Sequence, residues 1–334
     1  MDLTTRYLGL ELRNPLVASA GPLTGSVDGV RHLAEAGVGA VVLPSLFEEQ
    51  FRREADDARG EQSGTDPLPG AAYQPPGGQH HSPHGYLILI ERAAAAAGIP
   101  VIASLNGSTT GDWTDHAAAM QQAGAAAIEL NLYFPPADPL VPGREVEQWH
   151  IEVLTTVKAA VTIPVAVKIA PYFSSPGEVA LRLVHAGADG LVLFNRFMQT
   201  GIDPDTLLVS AAFELSRPAE AALPRAWIAR LRGRVAASLA ASTGVDNPGD
   251  VAAYLLAGAD VVMTTSALLR HGPEHVGTLL EGLTGWMQRK GFTSLDQVRG
   301  LLAEPVATYS ATDPDRAGYL DALDQVTRAY SPGP

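Results

Sequence analysis

The chain has no cysteine in its 334 residues. That absence removes disulfides, thiolate metal sites, a cysteine nucleophile and any iron–sulfur cluster ligated by its own side chains. Basic residues are also scarce: 23 Lys and Arg stand against 36 Asp and Glu, for a net charge of −13. Such a surface repels phosphate backbones and anionic lipid, so nucleic acid is not an expected partner. Long apolar runs are missing too, and Met1-Asp2-Leu3-Thr4 lacks a basic segment followed by an apolar one. The expectation is a cytoplasmic, soluble chain with no membrane association. Charged residues make up 18% and hydrophobic residues 46%, which is too little charge for disorder and enough apolar material for a large core.

What is present is a rhythm. Ala-Gly recurs ahead of an apolar run at Ala36-Gly37, Ala97-Gly98, Ala123-Gly124, Ala186-Gly187 and Ala257-Gly258, each time after a stretch with helical periodicity. A glycine there closes the helix and delivers the chain into a buried strand. The apolar runs are Leu16 to Ser19, Ala40 to Ser45, Val101 to Asn106, Ile128 to Asn131, Val165 to Lys168, Leu191 to Asn195, Ala237 to Thr243 and Val261 to Ser266. Each ends in polar or small residues. About eight strands alternating with helices, polar ends on one face, predict a (β/α)8 barrel running over 1–334 as one domain. A doubly wound sheet is the rival, but no Gly-x-Gly-x-x-Gly follows the first strand. The rhythm breaks at about 46–85 and 197–224, which are expected to be lid-like insertions, and a peripheral tail is expected at about 291–334.

The strand ends carry the chemistry. Lys168 is a cation inside the apolar run Pro164-Val165-Ala166-Val167-Lys168-Ile169, where an unpaired charge is costly, so it needs an anionic partner. Glu129 in the preceding strand is one such partner and would make the lysine merely structural. Asn131 and Asn195 end two strands. They could form turns, or two amides could meet the edge of a planar heterocycle. Ser242-Thr243-Gly244 and Thr264-Thr265-Ser266 end the last two strands just before helices, where backbone N–H groups can hold a phosphate or where the hydroxyls merely cap. Taken together they describe a pocket for a flat, phosphorylated ring such as flavin mononucleotide (FMN).

Asn14-Pro15-Leu16-Val17-Ala18-Ser19-Ala20-Gly21, Glu129-Leu130-Asn131-Leu132, Pro164 through Ile169, and Thr243-Gly244 through Leu255-Leu256-Ala257-Gly258-Ala259-Asp260 resemble the dihydroorotate dehydrogenase family. Gly291-Phe292, with Leu295 and Arg299 following, resembles its C-terminal stretch, and the similarity covers most of residues 5 to 305. The resemblance implies a flavoprotein of pyrimidine biosynthesis that acts on the CH–CH bond of dihydroorotate or a related small molecule. It implies Lys168 near the flavin N1 and O2 edge, Asn131 near the ring, and the Thr243-Gly244 and Thr265-Ser266 backbones at the phosphate. A cation beside N1 makes hydride acceptance at N5 easier. The full cofactor set is Ser19, Ala20, Asn106, Asn131, Lys168, Asn195, Thr243, Gly244, Thr265 and Ser266, with no metal. A homodimer and an unidentified second electron carrier complete the expectation.

Departures from the family lie in Asn131-Leu132-Tyr133-Phe134-Pro135-Pro136. Phe134 stands where the family carries its Cys or Ser base, and Pro136 replaces a polar substrate contact. The lysine that the family often places at the end of the second strand is replaced around Leu43-Pro44-Ser45. Tyr133 is the candidate substitute base beside Lys168, although its hydroxyl could equally hydrogen-bond a loop carbonyl. Gln79-His80-His81-Ser82-Pro83-His84 offers three imidazoles in the first insertion as proton carriers, as a weak metal motif or as solvated loop residues. Arg144, Glu145 and Arg196 lie close to strand-end loops. Three readings stand: an FMN oxidoreductase, an electron-relaying FMN subunit, and a flavin-free phosphate-binding barrel using Lys168 as a lyase or isomerase.

Overall fold

The apolar runs become eight parallel strands: β1 (Leu16–Ala18), β2 (Ala40–Phe47), β3 (Val101–Asn106), β4 (Ala127–Asn131), β5 (Val165–Ile169), β6 (Gly190–Leu193), β7 (Ser238–Ala241) and β8 (Val261–Thr264). The computed structural model describes residues 1–51, 81–107, 113–133, 139–196, 199–212, 214–304 and 314–330. Each strand pairs with the next, and β8 pairs back onto β1 with Val262 opposite Leu16 and Thr264 opposite Ala18. The sheet is therefore closed, which alternation alone leaves open, and the doubly wound rival is set aside. Helices follow the strands: α1 (Val27–Ala36), α2 (Pro83–Ala97), α3 (Trp113–Gln122), α4 (Gly143–Ala160), α5 (Pro176–His185), α6 (Ala222–Leu231), α7 (Pro248–Ala257) and α8 (His275–Lys290).

Local chemistry explains the boundaries. Ser82 accepts the Gly85 N–H at the start of α2, and Asn247 accepts from Gly249 and Asp250 at the start of α7, each with proline just inside the helix. All five glycines of the Ala-Gly rhythm have positive φ, from 62° at Gly98 to 118° at Gly258. A side chain there would be strained, which is why the repeat reads so clearly. Strand residues alternate between two cores. Outward residues such as Val41, Ala103, Ile128 and Val167 pack against the helices. Inward ones such as Val42, Ile102, Ala127, Ala166, Val192 and Met263 fill the barrel.

The bottom of the barrel is closed by an element that the rhythm does not announce. An N-terminal hairpin, Thr5–Tyr7 paired with Leu10–Leu12, buries Tyr7, Leu8 and Leu12 in the inner core. The Leu8 N–H donates to Ser238 Oγ at 3.0 Å. Gly190 leaves the space: a Cβ there would lie 2.5 Å from Leu8 Cδ2. Beside this plug, Asp260 ties three segments together. Its carboxylate accepts Arg232 Nη1 at 2.9 Å and the Leu239 N–H at 2.8 Å, and lies 3.6 Å from Arg299 Nε. Asp260→Ala would leave the Leu239 N–H without its acceptor in a buried place and take from Arg232 and Arg299 the carboxylate they share, and a cost of about 3 kcal/mol is expected from urea unfolding. An unchanged urea midpoint would contradict the role.

The second insertion holds more structure than its Pro and Asp content suggests. Gln199–Asp203 and Leu208–Ala212 form an antiparallel hairpin, its turn closed by Asp203 Oδ1 accepting the Asp205 and Thr206 N–H groups. In the first insertion, β2 extends through Phe47 and α2 begins at Pro83. Residues 52–80 of that insertion, including His80, lie outside the described residues. After β8, a short helix, Ser266–His271, precedes α8. The chain divides into two units, Met1–Ala303 and Glu304–Pro334, the second carrying the helix Pro314–Tyr330. Among the described residues no helix is long and apolar enough to cross a membrane.

Candidate active site

Parallel register brings the strand-end polar groups to one mouth of the barrel. Asn131 pairs with Lys168 across β4 and β5, and with Asn106 across β3 and β4. Because inward residues recur every second position, Glu129 lies on the same inner face as Asn131, one layer deeper and opposite Ala166. Asn195 donates through Nδ2 to Asn131 Oδ1 at 2.6 Å, and Asn131 donates through Nδ2 to Ser45 Oγ at 3.2 Å. Ser45 Oγ lies 2.8 Å from Ser104 Oγ. A hydrogen-bonded chain thus crosses the mouth from β6 to β3.

Lys168 is buried, with its Nζ 3.7 Å from Glu129 Oε1. That is close enough for charge pairing and too long for a good hydrogen bond. Glu129 is fully buried, and neither of its carboxylate oxygens has a hydrogen-bond partner among the described residues. Burial pushes its carboxyl above the usual range, and the nearby Lys168 ammonium pulls it partly back. The anionic partner expected for Lys168 is therefore present, held by geometry that leaves both charges incompletely satisfied.

The last two strand ends build a second cluster. Thr265 Oγ1 donates to the Ser19 carbonyl at 2.8 Å and reaches the Ala20 carbonyl at 3.5 Å. Thr243 has φ 83°, a left-handed conformation that is costly for a threonine. It is held by Oγ1 donating to the Phe194 carbonyl at 3.1 Å and by Tyr254 donating to the Thr243 carbonyl at 2.7 Å. Gly244 is crowded as well: a Cβ would lie 2.8 Å from the Ala221 nitrogen. Its N–H donates to Ser216 Oγ at 3.2 Å, and Ser216 Oγ lies 3.1 Å from Ser266 Oγ. Arg270 donates to the Ser216 carbonyl at 2.6 Å and pairs with Asp246 at 3.0 Å.

A sequence profile described as dihydroorotate dehydrogenase matches residues 2–287. The chain belongs to the dihydroorotate dehydrogenase family. It is 28% identical over 327 residues to dihydroorotate dehydrogenase B (NAD(+)), catalytic subunit, of Methanocella arvoryzae, covering 90% of this chain and 98% of that one. The same-named subunit of Methanothermobacter thermautotrophicus is 27% identical over 313 residues, covering 90% and 98%. The NAD-dependent dihydropyrimidine dehydrogenase subunit PreA of Escherichia coli is 24% identical over 333 residues, covering 95% and 80%.

Within this dihydroorotate dehydrogenase family barrel, the expected residues fall into two groups. Lys168, Asn106, Asn131 and Asn195 converge at the mouth, while Ser19, Ala20, Thr243, Gly244, Thr265 and Ser266 gather around the ends of β1, β7 and β8. Tyr133 lies two residues past the end of β4 and is partly buried. Phe134 and Pro136 lie outside the described residues. Of the other expected residues, Arg196 adjoins the mouth, its N–H donating to Asn195 Oδ1 at 2.9 Å, and the rest make contacts of their own. The His81 ring donates through Nε2 to the Gly25 carbonyl at 2.8 Å, and His84 is exposed on α2. Among the described residues no group of three His, Cys, Asp or Glu could hold a metal. Arg144 and Glu145 line a surface cleft between α4 and α5 with Arg182. Arg196 pairs with Glu220 at 2.9 Å.

Ser104 and Ser216 are absent from the residues singled out by sequence, and Ser45 appears there only in the stretch that replaces the family's lysine. A signal existed for Ser104, which shares the inner face with Asn106 at a spacing of two. Ser45 is displaced by the register shift between Val42 and Ser45, which no periodicity reports. Ser216 arrives from the second insertion, far in sequence from the loops it bonds.

Proposed function

We propose that this chain binds one FMN at the barrel mouth and oxidises or reduces a CH–CH bond in dihydroorotate or a related small cyclic amide or acid. Electrons pass to a second carrier, which this cysteine-free chain does not supply as a cluster of its own. The observation that carries the reading is the buried Lys168 ammonium set at a strand end within a row of amides from β3, β4 and β6. The donor set fits the group. Amides of Asn106, Asn131 and Asn195 can meet the carbonyl and N–H edge of a flat heterocycle, and Lys168 can face its electron-rich side. For the phosphate, Ser216, Thr243, Thr265 and Ser266 supply small hydroxyl side chains at the ends of β7 and β8, near the Arg270 charge.

When bound, FMN supplies a two-electron acceptor. The chain's own residues orient it, exclude water and place a positive charge where negative charge gathers. Tyr133 is the candidate proton carrier on the substrate side. The names of relatives support the substrate class, since they include both a dihydroorotate and a dihydropyrimidine dehydrogenase subunit. The word subunit in those names also supports a partner that relays electrons. A cytoplasmic homodimer is part of the proposal. The exposed Ile202, Leu208 and Val209 on the Gln199–Ala212 hairpin are apolar surface suited to a partner.

Heat release should yield FMN, not FAD, at about one per chain, because one phosphate cluster at the mouth leaves no evident adenine site. Colourless protein that cannot be reconstituted with FMN would overturn the reading and favour phosphate-barrel lyase chemistry through Lys168. Bleaching of the bound flavin by a candidate substrate separates an enzyme from a passive relay.

A further inference from the structure

We propose that Glu129 is a redox-linked proton site: it binds a proton from solvent when negative charge builds up above Lys168, and releases it when that charge leaves. The inference deepens the FMN reading above and rests on it. Glu129 does not touch the mouth itself, so it acts through Lys168 as a positioning residue.

The layers of the barrel fix how these groups meet. Glu129 and Asn131 are two residues apart on β4 and face inward, so Lys168, which pairs with Asn131, reaches down to Glu129 from the layer above. The 3.7 Å separation leaves the carboxylate with Coulomb attraction and without a hydrogen bond. In a buried layer such a carboxylate is stable as an anion only to the extent that it receives the lysine's field. The groups facing it from the packed elements are few. Lys168 comes from β5, Tyr86 from α2 through its hydrogen bonds to Ser104, and Tyr7 from the plug. Burial holds both phenols above their usual range, so they stay neutral. Among the described residues this leaves Lys168 as the single cation that offsets Glu129.

A negative charge placed above Lys168 competes for the same ammonium. Two anions cannot both be neutralised by one cation in a low-dielectric layer, and the one that can bind a proton does so. Hydride arriving from substrate brings one proton and two electrons to the mouth and leaves one net negative charge there. Glu129 then takes one proton from solvent, its carboxylate becoming a carboxylic acid, and the net charge of the layer is restored. Removal of the electron pair reverses both changes. The Tyr7 hydroxyl, buried and without a hydrogen-bond partner among the described residues, is a second polar group below this layer.

The test is the pH dependence of the midpoint potential of the FMN-loaded full chain, which counts protons taken up per electron pair. On the alkaline side of neutrality the parent should take up about one proton more per pair than Glu129→Gln. Infrared difference spectra of the parent, reduced minus oxidised, should show a protonated carboxyl band appearing, and this readout needs no variant to fold. Equal proton counts in parent and variant, with FMN bound in both, would overturn the role of Glu129 while leaving the FMN reading intact. The absence of a new carboxyl band from the parent would do the same. A chain that takes no FMN would overturn the reading on which both rest.

Discussion

Lys168→Met is expected to keep FMN in the barrel and to slow its reduction by substrate on the order of 10²–10³-fold, the size of effect seen when one preorganised electrostatic donor is removed. The lysine is buried and its charge is shared with a single carboxylate, so little water screens what it offers a bound ring. Binding should suffer less, because the amides of Asn106, Asn131 and Asn195 and the loops around Gly244 and Ser266 remain. Anaerobic stopped-flow mixing gives the rate and a redox titration gives the potential, which should fall. Methionine also leaves Glu129 buried without its cation, and that alone could perturb the barrel. The double variant Lys168→Met, Glu129→Gln removes this complication. If its midpoint potential matches that of Glu129→Gln alone, Lys168 does not stabilise charge on the ring.

Dihydroorotate should be a poor substrate for the parent chain. On the reading that Phe134 stands at the family's Cys or Ser base position, a missing general base lowers the rate by roughly 10²–10⁴-fold unless another group serves. Phe134→Ser should recover part of that factor if base loss is the main defect. Anaerobic mixing with dihydroorotate, followed at the flavin absorbance band, decides between the possibilities. Slow or absent bleaching by the parent and faster bleaching by Phe134→Ser is the expected pair of results. Rapid bleaching by the parent would assign the base to Tyr133 or another group, and Tyr133→Phe would then be the variant to compare.

Much of the fold was written in local patterns. The five Ala-Gly helix ends are legible because each needs only a left-handed residue and the turn before it. The polar strand ends are legible because a parallel strand buried on both faces is apolar until it leaves the sheet. The Gln199–Ala212 hairpin was obscured by Asp203-Pro204-Asp205, whose turn chemistry reads as loop. The N-terminal plug was missed for a related reason: Thr5–Tyr7 and Leu10–Leu12 are three residues each, too short for periodicity to register.

The sequence by itself therefore determined the order of elements, the face on which chemistry collects, and the candidacy of Lys168 and the strand-end amides, because these depend on residues close together in the chain. Only the tertiary structure decided that the sheet closes and that Asn195, Asn131, Ser45 and Ser104 form one hydrogen-bonded row. It also decided that Ser216 reaches Gly244, and that Glu129 lies 3.7 Å from Lys168 with no hydrogen bond of its own. The physical reason is register: inward side chains from different strands meet at heights set by the pairing and closure of the whole barrel, and no stretch of sequence carries that information alone.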